Sequence, residues 1–399
     1  MPLLSIFTIF LKLGCTSFGG PIAHIGYFRH EFVEKRAWLD EHAYADLVAL
    51  CNFLPGPSSS QVGMALGISR GGLAGGLAAW LGFTLPSALL LTAFAYGLAQ
   101  QGWNAEAGWL HGLKLVAVAV IAQAVWGMSR TLCPDRLRAA LAIVAAGLVL
   151  LAGSSSLTAL ANWAQVLVIV LGGLIGWRLI TPAPKPAAAP LHFAISKRLA
   201  IAAWVLLAAL LLALPLLASQ SAHPALALFD KFFRSGALVF GGGHVVLPLL
   251  HGELVPGGWV SEAVFLAGYG ATQAAPGPLF TFAAYLGAAN TSAVSGVAGS
   301  LLATLAIFLP AFLMVIGALP FWNGLRQRQG AQAALAGVNA AVVGLLIAAL
   351  YTPVWTSAVQ SRGDFALALA AFGLLTVGRA PPLYVVVFGA LGGGLLAAL

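Results

Sequence analysis

Charge is what this sequence has least of: 8% of its 399 residues are Asp, Glu, Lys or Arg, against 60% hydrophobic, where a soluble domain carries about 25% charged residues. That scarcity excludes a water-soluble globular protein. Cysteine is almost as rare. Cys15, Cys51 and Cys133 are scattered without CxxC or Cys/His spacing, which excludes a disulfide framework or zinc site and leaves them as small packing residues. The eleven acids are dispersed, so the clustered carboxylates or metal constellation of a membrane enzyme acting on lipid phosphates are missing. No cofactor, metal or catalytic residue is expected. The start, MPLLSIFTIFLKLG, lacks a basic n-region and an Ala-x-Ala site, and reads as a first membrane helix instead of a removed signal peptide.

What is there is apolar sequence in long runs. Leu73–Ala99, Leu113–Met128, Leu199–Leu217 and Leu335–Tyr351 are each near the length that crosses a hydrocarbon core of about 30 Å. They lack the alternation of barrel strands, so an all-α polytopic membrane protein is expected. The formal charge of +8 sits in short inter-helix loops, where the positive-inside rule accounts for it without nucleic acid.

The chain repeats itself. With residues 7–130 laid over 229–345, Phe18-Gly19-Gly20-Pro21 meets Phe240-Gly241-Gly242-Gly243, Trp38 meets Trp259, and Pro55-Gly56-Pro57 meets Pro276-Gly277-Pro278. Phe83-Thr84-Leu85-Pro86 meets Ile307-Phe308-Leu309-Pro310 slightly further along, and Lys12 and Arg234 stand equally far ahead of the Phe-Gly-Gly triplets. Rare residues in the same order mark a duplication. The expected organisation is a first repeat at 1–180, a Pro/Ala linker at 181–198, an extra crossing helix at 199–218 and a second repeat at 219–399. One odd helix between the copies would turn the second upside down. The loop charges agree: Arg29, Lys35 and Arg36 face no basic residue in 244–262, whereas the uncharged 98–105 turn faces Arg326 and Arg328. Thirteen crossings with the N-terminus inside would leave 22–42 outside. If Tyr44–Ser69 is instead a re-entrant hairpin broken at Pro55-Gly56-Pro57, that loop moves inside.

Proline and glycine inside an apolar stretch interrupt the helical ladder, and at membrane depth such a break survives only when buried in protein or lining a wet cavity. In the first copy it is flanked by Asn52, Ser58, Ser59 and Gln61, and in the second by Gln273 and Thr281. A helix restarting after Pro57 offers free amides, hydroxyls and a positive dipole end, a set suited to a small anion. Paired breaks in corresponding positions point to a transporter site; a structural kink is the alternative. Gly19, Gly20, Gly241 and Gly242 belong to the same set, or to close helix packing. Lys12 and Arg234 could balance an anion's charge or snorkel. His24, Glu31 and Glu253 are candidate proton carriers, with a structural histidine and solvated carboxylates as the alternatives.

Together, Phe18-Gly19-Gly20-Pro21 with His24, Leu54-Pro55-Gly56-Pro57 with Ser58-Ser59-Ser60-Gln61, Phe83-Thr84-Leu85-Pro86, Phe240-Gly241-Gly242-Gly243, Gln273 and Pro276-Gly277-Pro278 resemble the chromate ion transporters in their long two-domain form. The likeness covers nearly the whole chain outside the linker. It departs at Asn52, where that family usually has glutamine. The resemblance implies export of chromate, a tetrahedral divalent oxyanion, across a bacterial inner membrane. It also implies a drive by protons and not ATP, in keeping with the missing Gly-x4-Gly-Lys-Ser/Thr loop. Partners expected on this reading are the oxyanion, protons and the bilayer, with a homodimer left open. A sulfate carrier, a lipid-phosphate enzyme and an assembly subunit are the competing readings.

Overall fold

The structure, a computed structural model, describes residues 1–100, 107–154, 158–181, 195–221, 223–240, 243–322 and 328–398. Helices account for the ordered backbone throughout, and no strand occurs among the described residues. Five helices there are long and apolar enough to cross a membrane: Ser58–Ala99, Gly108–Leu132, Lys197–Gln220, Gly296–Phe321 and Gln329–Ala358. The fold class read from composition is therefore the one observed. The chain divides into two compact units that cut across the two sequence copies. Unit 1 is Met1–Gln100, Pro184–Gly243 and Ala275–Gln327; unit 2 is Gln101–Ala183, His244–Ala274 and Arg328–Leu399.

In unit 1 the chain runs through α1 (Leu3–Thr16), α2 (Gly20–Arg29, continued by a π turn at His30–Lys35), α3 (Glu41–Phe53) and α4 (Ser58–Gln100). α4 is not one rod, because Gly71 and Gly72 leave helical backbone and the chain doubles back until Gly67 lies against Gly75. Arg70, at the end of the short arm 58–70, donates from Nη2 to the carbonyl of Trp38 at 2.7 Å, and its own carbonyl accepts from the Met1 ammonium at 3.2 Å. Met1, Trp38 and Arg70 thus share one end of the unit. It follows that α1 and α2 form one hairpin bent at 17–20, and that α3 and the arm 58–70 form another bent at Pro55-Gly56-Pro57. Over 44–69 the chain thus runs out along α3 and back along the arm 58–70 to the end that carries Trp38 and Met1.

The second copy supplies unit 1 with α8 (Lys197–Gln220), α9 (Pro224–Ala237), the turn Leu279–Thr281, α12 (Phe282–Ala289) and α13 (Gly296–Ala318). Small residues let these helices touch backbone to backbone. Gly14 of α1 meets the Phe83 carbonyl as its counterpart Gly236 of α9 meets the Ile307 carbonyl, and Gly287 meets Gly299 as Gly67 meets Gly75. The long arm of α4 and α13 are equivalent helices, and they run antiparallel. Trp80 meets Phe308 edge to face with ring centroids 5.7 Å apart, Thr92 Oγ1 is 2.6 Å from Ser300 Oγ, and the Val297 N–H donates to Tyr96 Oη at 3.0 Å.

Unit 2 contains α5 (Gly108–Leu132), α6 (Arg136–Ser154), α7 (Thr158–Leu179), α10 (Val246–Leu254), α11 (Glu262–Thr272), α14 (Gln329–Ala349), α15 (Arg362–Thr376) and α16 (Pro382–Ala398). The copies are interleaved here too: Gly112 of α5 lies against Gly389 of α16, and Gly337 of α14 against Gly172 and Gly176 of α7. Each close pair joins one helix from each copy. The expected linker falls largely on 182–194, outside the described residues.

Candidate functional site

The breaks of both copies meet in unit 1, and they meet reciprocally. The Gly56 N–H donates to the Val239 carbonyl at 2.6 Å, and the Gly277 N–H donates to the Ser17 carbonyl at 2.8 Å. Ser17 and Val239 each precede a Phe-Gly-Gly triplet, so the bend of every Pro-Gly-Pro is tied to the other bend of the opposite copy. Both glycines have positive φ, +114° and +91°, a conformation L side chains rarely adopt. The turn therefore requires glycine where the two copies touch.

Around these bends the polar side chains are buried and incompletely bonded. His24 is fully buried, and its Nδ1 is hydrogen-bonded to Ser59 Oγ at 3.3 Å. Gln61 Nε2 donates to the Pro55 carbonyl at 2.6 Å, and Thr281 Oγ1 to the Pro278 carbonyl at 2.6 Å. Ser17 Oγ, His24 Nε2, Ser60 Oγ, Gln61 Oε1 and Thr84 Oγ1 are buried with no partner. A buried polar atom left unbonded costs about 1–3 kcal/mol, so a group of them on neighbouring bends is what a polar ligand or water would satisfy.

The structure sorts the residues expected from sequence. Gly19, Gly20, His24, Pro55, Gly56, Pro57, Ser58, Ser59, Gln61, Pro276, Gly277, Pro278 and Thr281 all belong to unit 1, at or beside its bends. Gly241 and Gly242 lie outside the described residues. Asn52 is exposed on the last turn of α3, and Lys12 is exposed on α1. Arg234 is bound to Asp230 one turn earlier, with Nε and Nη2 at 2.8–3.0 Å from the carboxylate. Gln273 and Glu253 belong to unit 2. Glu31 sits in a charged cluster by the Trp38 end, 2.6 Å from Arg36 Nε and 3.6 Å from Lys35 Nζ.

Burial alone would raise the Glu31 carboxyl, but the hydrogen bond and charge of Arg36 and the charge of Lys35 outweigh it and hold it below the usual carboxylate range. A carboxyl so held contributes its stabilisation above the ordinary carboxylate pKa of about 4.3 and loses it only as pH falls through the lower folded value. Glu31→Gln is accordingly expected to leave the pH profile of transport between about pH 5 and 8 unmoved. A shift in that profile, measured in reconstituted vesicles, would make Glu31 a proton carrier.

One family model, described as chromate transporter, matches residues 4–177 and again residues 226–394. The chain belongs to the chromate transporter family. The double match is the duplication seen in the rare residues, and it makes this family member a multi-pass membrane transporter. Among its relatives, a chromate transport protein of Pseudomonas aeruginosa is 30% identical over 86% of this chain and 78% of its own length. A probable chromate transport protein of Synechococcus elongatus is 29% identical over 86% and 82%. An uncharacterized transporter of Methanocaldococcus jannaschii is 27% identical over 86% and 83%. No solved structure matches the chain.

Sequence reasoning missed four acidic or polar partners in this family member. Asp230 is buried and bound to Arg234, and their i, i+4 spacing on an apolar helix was a readable signal. His111 with Asp364, His251 with Glu262 and His244 with Tyr269 are hydrogen-bonded at 2.7, 2.8 and 2.8 Å. They come from distant or separate helices and left no local signal. Among the described residues no group of three His, Cys, Asp or Glu could hold a metal ion.

Proposed function

We propose that this transporter exports chromate from the bacterial cytoplasm across the inner membrane in exchange for protons, with the anion held at the paired bends of unit 1. The observation that carries the reading is the reciprocal pair of Gly56 and Gly277 amide bonds, which brings the bends together beside the unbonded Ser17, Ser60 and Thr84 hydroxyls and His24 Nε2. Hydroxyl and amide donors around a helix start suit a tetrahedral oxyanion. Lys12 is the remaining basic candidate near the first bend, since Arg234 is engaged with Asp230.

In this reading the copies are inverted in the membrane, as the antiparallel course of α4 and α13 supports. Counting each hairpin as returning and 73–100, α5, α6, α7 and α8 as crossing, Arg29, Lys35, Arg36, Arg70, Arg130, Arg136, Arg138, Arg178, Lys197 and Arg198 fall on one side. Continued through α13 to α16, the count puts Arg328 and Arg379 on that same side and Arg362 on the other. By the positive-inside rule the first side is cytoplasmic.

Cells expressing the protein are expected to accumulate less chromate than controls. Equal or greater accumulation would sink the export direction. In inverted vesicles, labelled chromate uptake should be slowed by sulfate, because donors of this kind read the shape and charge that both anions share; full displacement at equal concentration would instead make sulfate the substrate.

A further inference from the structure

Unit 2 holds two histidine–carboxylate pairs that the paired bends do not use, and they differ in one respect. Asp364 is saturated: it accepts from His111 Nε2 or shares its proton at 2.7 Å, and from the backbone N–H groups of Gln360 and Ser361 at 3.0 and 2.9 Å. It also completes a capping box with Ser361. Protonating it would break several bonds at once, so it serves as a fixed anchor for α15 and His111. Glu262 is not saturated. Its Oε2 lies 2.8 Å from His251 Nε2, and its Oε1 is buried with no partner.

Two further features surround Glu262. α11 presses on α5 closely enough that Gly270 has no room for a side chain against the Leu113 backbone, and the next residue, half-buried Lys114, is within reach of the Glu262 charge. Each neighbour also opens onto space large enough for water. His251 lines a cavity of about 370 Å³ with Gln165, Tyr351 and Thr352, and Lys114 and His111 line one of about 380 Å³. Glu262 is thus bonded to an imidazole that lines one cavity and within electrostatic range of the ammonium that lines the other. The titratable groups with which it interacts are His251 of α10 and Lys114 of α5.

We propose that Glu262, hydrogen-bonded to His251, takes up and releases the proton that this transporter exchanges for its anion, with His251 as the relay to water. This deepens, and rests on, the proton-coupled reading above. An ionisable group within a membrane domain that keeps an open oxygen can change its proton count without dismantling the fold. Neutralising Glu262 adds one proton to the carboxylate, and releasing that proton restores the negative charge beside His251.

The test uses the purified full-length chain in liposomes with an entrapped pH dye and inorganic chromate as the probe. Glu262→Gln is expected to lower chromate-driven proton movement at least tenfold while chromate–chromate exchange, which needs no net proton, stays within twofold of wild type. Wild-type proton movement in Glu262→Gln, or loss of exchange along with it, overturns the assignment of Glu262 alone. Chromate exchange without any proton movement in the wild-type protein overturns the proton-coupled reading itself.

Discussion

Gly277→Ala is expected to reduce chromate exchange in liposomes by more than tenfold while the protein still inserts. Two costs fall on the same atom. The residue has φ +91°, and an added Cβ would stand 2.9 Å from Ser87 Oγ and 3.1 Å from the Phe83 carbonyl. Strain at such a backbone position costs about 1–3 kcal/mol, and the Phe83 carbonyl is helix backbone that cannot rotate away. Relief must come from moving the bend, which lengthens the 2.8 Å bond from the Gly277 amide to Ser17. About 1.4 kcal/mol in the transition state is already tenfold in rate. Gly56→Ala should be the milder of the two. Its φ of +114° carries the same strain, but the nearest atom to its Cβ, at 2.9 Å, is Gln61 Nε2, the far end of a side chain that can turn. Gly127→Ala is the control: nothing lies within 4 Å of its Cβ on α5, and alanine is the better helix former by about 1 kcal/mol. Gly277→Ala exchanging at the wild-type rate would remove the paired bends from the transport path.

The bends were legible in the sequence because Pro and Gly act through the backbone, where one residue decides the local geometry whatever surrounds it. The duplication was legible for the same reason: Phe-Gly-Gly, Pro-Gly-Pro and the two tryptophans are too rare in apolar sequence to coincide. Hydropathy could not show whether 44–69 crosses or returns, since both courses bury the same residues in the same medium. Only the tertiary contacts of Arg70 with Trp38 and Met1 distinguish them. Nor could a linear reading find that the compact units cut across the copies, because helix packing through Gly112 with Gly389 or Gly337 with Gly172 depends on residues far apart in the chain. The histidine–carboxylate pairs were hidden for that reason as well. Pairs such as Asp230 with Arg234, four residues apart, could have been read directly.

This last pair changes what Arg234 can do and makes the second large prediction. Asp230 has 4% of its surface exposed, and both of its oxygens face the guanidinium at 2.8–3.0 Å, a bidentate match of planar groups. Losing the Asp230 carboxylate removes its charge-assisted hydrogen bonds to Arg234, each of which contributes about 1.5–3 kcal/mol. Asp230→Ala is therefore expected to lower the thermal midpoint of the detergent-solubilised protein by several degrees and to depress its yield in the membrane. Replacing both residues together, as Asp230→Leu with Arg234→Met, should recover most of that stability, since two apolar side chains on α9 need no partner. Transport then separates the two roles of Arg234. If its charge serves only Asp230, the double variant regains chromate exchange along with stability. If the guanidinium also balances the anion, as its place ahead of the second Phe-Gly-Gly suggests, stability returns and exchange does not. A double variant no more stable than Asp230→Ala would show that the pair is not what holds α9 in unit 1.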